Sequence, residues 1–166
     1  MNQTVLTSES ESSYWLAVAR LVSGLVHRAP SGQSSLLKVD GLRDNGKFYT
    51  VMLDGSIEEG PKFRKNGGDL RALLAEVVVE SSAAVHDLAS KDDVSLRELA
   101  GLFAQVDGIA RKGAFIALRM DSRHLDGPYQ VSMGGPLFGT AYFDESGTDI
   151  LPLMRDAISF WKDHRG

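Results

Sequence analysis

The sequence predicts an α+β domain with a mainly antiparallel sheet of five to six strands and about four helices. Three observations predict it. Apolar residues recur at helical spacing in four long stretches. Between them lie short runs that alternate apolar and polar residues, joined by glycine, asparagine and aspartate. These runs come in groups rather than singly between helices, which excludes a regular doubly wound parallel sheet.

Residues 1–10 are polar and serine-rich and read as a flexible N-terminus ahead of a single domain over 11–166. In "SSYWLAVARLVSGLVHRAP", Trp15, Val18, Ala19, Val22, Leu25 and Val26 share one helical face, and Pro30 marks its end. "SSLLKVDGL" and "KFYTVMLDG" read as strands joined by "RDNG", where Asn45-Gly46 suits a tight turn. "IEEGPKF" reads as a third, irregular strand, placed at an edge by Pro61.

Asp69 is the expected N-cap of the next helix, whose stripe is Leu70, Leu73, Leu74, Val77 and Val78. "KDDV" breaks the chain before "SLRELAGLFAQVDGIARKG". There, Ser95 and Glu98 read as a capping box, with Leu96, Leu99, Leu102, Phe103 and Val106 inward. "AFIALRMD", "YQVSM" and "FGTAYFDE" read as strands. Asp149 caps the last helix, where Pro152 is tolerated in the first turn because no helical hydrogen bond needs its missing N–H. Its stripe is Ile150, Leu153, Met154, Ala157, Ile158 and Trp161.

A repeat runs through this order. "YTVMLDGSIEEGPKFRKNGGDLRAL" from Tyr49 aligns without a gap to "YQVSMGGPLFGTAYFDESGTDILPL" from Tyr129, with seven of twenty-five columns identical. Upstream, the same offset lays Leu16 over Leu96, Val22 over Leu102 and Val26 over Val106. Two similar α-β-β-(β)-α halves, about 11–90 and 91–166, are therefore expected from an internal duplication. Gly55 and Gly135, and Gly67 and Gly147, fall in matching columns, as turn glycines with positive φ would. A phosphate loop needs a strand, then glycines, then a helix N-terminus. Gly134 and Gly135 instead lead into the apolar "PLFGTAYF".

Composition narrows function. The 166 residues carry a net charge of −4, which disfavours nonspecific nucleic-acid binding. Without cysteine there are no disulfides, thiolate metal sites or cysteine nucleophiles. No apolar run approaches the ~20 residues of a membrane span. No secretory signal is evident at the start, so a cytoplasmic location is expected. His27, His86, His124 and His164 form no helical metal pair, and no "GxSxG" elbow or EF-hand loop occurs. No cofactor or metal is expected.

The expectation is a non-enzymatic, soluble protein-binding protein. It fits the small acidic bacterial type that neutralises or escorts a partner, toxin-immunity-like or secretion-chaperone-like. Its partner is another protein with a basic surface, and a homodimer is a further expectation because a spare sheet edge needs protection. The contact residues expected are those at which the halves invert charge: Lys62, Arg64 and Lys65 in the first, Asp144 and Glu145 in the second, with Asp149 beyond them. The alternative is a small-molecule-binding protein or enzyme. Its polar loop would comprise Asp121, Arg123, His124, Asp126 and Tyr129.

Overall fold

The computed structural model describes residues 8–26, 34–42, 46–54, 61–80, 93–121, 123 and 127–164. The chain runs α1 (Ser8–Val26), β1 (Ser34–Asp40), β2 (Tyr49–Asp54), β3 (Pro61–Gly67), α2 (Leu70–Glu80), α3 (Asp93–Ala110), β4 (Phe115–Asp121), β5 (Tyr129–Gly134), β6 (Phe143–Gly147) and α4 (Ile150–His164). The six strands form one sheet in the order β3-β2-β1-β4-β5-β6, every neighbouring pair antiparallel. The expected α+β fold is the fold observed.

Alternation along the strands explains the layers. Leu37 and Val39 in β1, Tyr49, Val51 and Leu53 in β2, and Ile116, Leu118 and Met120 in β4 are buried on one side. Val131, Met133 and Phe143 continue that side through β5 and β6. The helices cover it. Helix α1 packs on α2 and α3, and α3 on α4, while α2, α3 and α4 each touch strands beneath them. The other side carries Leu36, Lys38, Met52, Phe115, Ala117, Gln130 and Ser132, all half-exposed.

Strand positions repeat between the halves. Ser34 and Phe115 open β1 and β4, 81 positions apart, and Tyr49 and Tyr129 open β2 and β5, 80 apart. At the centre, Leu37 lies opposite Leu118 and Lys38 opposite Ala117, so β1 and β4 meet across the middle of the sheet. The helices need a different offset. Buried Trp15, Val18, Ala19, Val22 and Leu25 match Leu99, Leu102, Phe103, Val106 and Ile109, and buried Ser23 matches Asp107. That spacing is 84, against the 80 by which the letters laid Leu16 over Leu96 and Val22 over Leu102. The cause is the connection into the first strand of each half, which is longer after α1 than after α3.

Several elements differ from expectation. Helix α3 starts at Asp93, so Ser95 lies inside it rather than at the N-cap, and Glu98 accepts a hydrogen bond from Arg155 of α4. Strand β3 is described from Pro61 and lies at the sheet edge, as its proline led one to expect, while residues 57–60 lie outside the described residues. Strand β6 begins at Phe143 rather than Phe138, which ends a 3-10 turn over Pro136–Phe138. The β1–β2 ladder closes with the Asp40 N–H on the Phe48 carbonyl at 2.7 Å, so the connection is longer than a two-residue turn. Gly46 has φ 71, while Asn45 lies outside the described residues. Helix α1 begins at Ser8, ahead of the expected start.

The glycines separate by cause. Gly135 has φ 136 and needs to be glycine on that ground. Gly67 and Gly147 do not have positive φ. Leu73 and Leu153, in matching helices, lie over them at 3.3 and 3.5 Å from where a Cβ would stand. Gly55 lies outside the described residues. Gly41 is a contact point between halves: its N–H donates to the Ala114 carbonyl at 3.0 Å, and a Cβ there would fall 1.5 Å from the Ala110 carbonyl oxygen.

Candidate functional site

The residues at which the halves invert charge lie on the two edges of the sheet. Strand β3 is one edge and β6 the other. Five inter-strand spacings separate them, roughly 24 Å, so Lys62, Arg64 and Lys65 do not share a surface patch with Asp144 and Glu145. Arg64 lies opposite Met52 on the open side of the sheet, and Lys65 opposite Val51 on the helix side. Lys65 forms an ion pair with Glu76 of α2. The Lys62 side chain lies outside the described residues.

Strand β6 repeats this geometry with the opposite sign. Asp144 lies on the open side, accepting hydrogen bonds from Gln130 Nε2 at 2.9 Å and Ser132 Oγ at 2.8 Å. Those two neutral donors on β5 hold the carboxylate in place without neutralising it. Glu145 lies opposite Val131 on the helix side and is exposed, as is Ser146. Asp149 has a local role: its Oδ1 accepts the Leu151 N–H at 3.0 Å, the N-cap expected of it. Asp69 does the same for α2 through Ala72 at 3.1 Å, assisted by Tyr14, whose hydroxyl accepts the Leu70 N–H at 3.1 Å and donates to Asp69.

Asp121 and Tyr129 lie on opposite sides of the sheet, and His124 and Asp126 lie outside the described residues. Asp121 is buried and saturated. Arg123 donates Nε and Nη2 to its two carboxylate oxygens at 2.8 and 2.7 Å, Arg123 N–H adds a third bond at 3.1 Å, and Arg119 a fourth at 3.2 Å. The guanidinium of Arg123 is the first cause holding the Asp121 carboxyl down at about 2, against 3.8 ordinarily. Ionised and fully bonded, Asp121 has no proton to give and little basicity to offer. Burial raises the Tyr129 hydroxyl above its usual range, with the charge of Asp149 adding to it.

Sequence reasoning missed one buried polar network. Tyr49 Oη donates to Asp107 Oδ1 at 2.5 Å, and Arg111 Nε donates to Asp107 Oδ2 at 2.6 Å. Arg111 also stacks over Phe48 at 5.2 Å. Burial, then the hydrogen bond and charge of Asp107, raise the Tyr49 hydroxyl far above its usual value, so it stays protonated. The network pins β2 of the first half to α3 of the second. The i, i+4 spacing of Asp107 and Arg111 was the available signal; its third member, Tyr49, is 58 residues away.

Among the described residues, no group of three His, Asp or Glu could hold a metal, and no buried side-chain N or O lacks a partner. No described helix is long and apolar enough to cross a membrane. No protein-family model, curated protein or solved structure matches the chain.

Proposed function

We propose that the chain is a non-enzymatic protein-binding domain that takes up an extended basic segment of a partner protein along the β6 edge. The supporting observation is β6 itself: an edge strand with Asp144, Glu145 and Ser146 exposed along it. An edge strand offers backbone N–H and C=O groups to an incoming strand, and its side chains choose which strand. The two carboxylates on opposite sides of β6 favour a segment with cations on both of its own sides. They also speed encounter, at a rate that falls with salt. The role within this class is neutralisation or escort of that partner in the cytoplasm. The same reading takes the halves as copies of one duplicated unit whose edges have since diverged in charge.

Affinity capture from the native lysate tests it, run in parallel with wild type and with an Asp144→Lys, Glu145→Lys double variant. Expected is one protein recovered in stoichiometric amount by wild type at low salt, and lost both at high salt and in the variant. Recovery of no protein, but of a small molecule whose retention requires Arg123, would overturn the reading in favour of the loop around Arg123, His124 and Asp126.

A further inference from the structure

We propose that the two sheet edges also bind each other, the basic β3 edge of one copy receiving the acidic β6 edge of the next, so that copies add head to tail. The inference rests on the reading of β6 as a binding edge and commits the β3 edge to a second copy of the same chain.

Direction, side and charge all agree with it. Every neighbouring pair in the sheet is antiparallel, and β3 and β6 are five steps apart, so they run in opposite directions. A second copy placed alongside in the same orientation therefore presents its β3 antiparallel to β6, with its helix layer on the same side. In one register Arg64 faces Asp144, both on the open side. Shifted by two residues, Lys65 faces Glu145, both on the helix side. Either register puts opposite charges across the new ladder, a favourable cross-strand pair. Pairing like edges does the reverse: β6 on β6 opposes carboxylates, and β3 on β3 opposes cations. Charge thus discourages the two symmetric edge dimers and leaves the head-to-tail contact.

The molecule already contains such a junction. At the centre of the sheet, β1 and β4, equivalent strands of the two halves, pair antiparallel through Leu37–Leu118 and Lys38–Ala117. A β3–β6 contact between copies joins the halves' other pair of equivalent strands in the same manner. Because the contact is head to tail it does not close on itself, and copies add in a row that turns with the sheet's twist.

Sedimentation velocity over a concentration series decides it, at about 0.01 M and about 1 M salt, where charges are screened over about 30 Å and about 3 Å. Expected at low salt is a mass that climbs with concentration beyond a dimer, and at high salt a monomer. Arg64→Glu combined with Lys65→Glu makes both edges acidic and Asp144→Arg combined with Glu145→Arg makes both basic, so each double variant alone stays monomeric. Mixed in equal amounts they associate again, because each supplies the edge the other lacks. Should loss of the Gln130 and Ser132 hydrogen bonds unfold that chain, Glu145→Arg with Ser146→Arg, which keeps Asp144, replaces it. Wild type that is monomeric at low salt throughout the series, or a mixture that stays monomeric while wild type associates, would overturn the proposal. An extended peptide repeating Lys-Lys-Val-Val, which carries cations on both of its sides, titrated onto monomeric wild type, separates the two readings. Its binding means that only the head-to-tail contact has failed; no binding means that β6 is not a binding edge.

Discussion

At the residue scale the charged groups divide into those that hold the fold and those turned outward. Asp107 and Asp121 belong to the first kind. Tyr49→Phe removes a donor from a buried carboxylate, and we expect a loss of roughly 1–3 kcal/mol in urea unfolding. The Tyr49 hydroxyl has a raised pKa in the fold, so its contribution is whole below about pH 10 and is lost as pH rises above that value. Stability measured from pH 8 to 11 should fall less steeply in Tyr49→Phe than in wild type. Asp121 works at the other end. Its carboxyl is lowered from 3.8 to about 2, so its contribution is present above about pH 4 and is lost as pH falls from there towards 2. Arg123 is 39% exposed, which screens the pair, and roughly 1–2 kcal/mol is the expected size. Asp121→Asn should flatten the acid limb of the stability curve by that amount; an unchanged limb would remove Asp121 as its source.

At the element scale, legibility followed how local each determinant is. The N-caps Asp69 and Asp149 and the full stripe of α4 were readable because a cap and a stripe depend on a few neighbouring residues. Asp69→Ala and Asp149→Ala should each cost about 1 kcal/mol. The Asp69 variant should lose more, since Tyr14 shares that cap, and thermal unfolding of the two variants compares them directly. The start of α3 was misplaced because Ser95 and Glu98 have the spacing of a capping box but sit within the first turns, where Arg155 of another helix engages Glu98. The segment from Phe138 was read as strand from its aromatics, whereas β6 begins at Phe143. The 3-10 turn forms because φ 136 at Gly135 turns the chain out of the sheet and Pro136 follows it. The candidate site was half legible. Charge inversion between Arg64 and Asp144 is visible in the letters, whereas edge position depends on how six strands pair. Likewise, no local pattern links Tyr49 to Asp107.

At the scale of the whole molecule the halves are interlocked rather than adjacent. Strand β1 pairs with β4, α1 packs on α3, and the Tyr49–Asp107 bond crosses between halves. The halves should therefore melt as one. Nature supplies the probes: Trp15 reports the first half and Trp161 the second, and they are the only tryptophans. Single-tryptophan variants, Trp15→Phe and Trp161→Phe, should each give urea curves by fluorescence that coincide with their own circular dichroism curves. Separate midpoints for the two probes within one variant background would show independent halves. The seam itself makes a further demand. At Gly41 the chain leaving the first half passes so close to the end of α3 that no side chain fits between them. A saturation-mutagenesis map should show position 41 refusing all nineteen substitutions while Gly46, at φ 71 with open space around it, tolerates asparagine. Position 41 is thus a fingerprint of the architecture itself: a chain that keeps this arrangement keeps glycine there, however far its edges and surface drift.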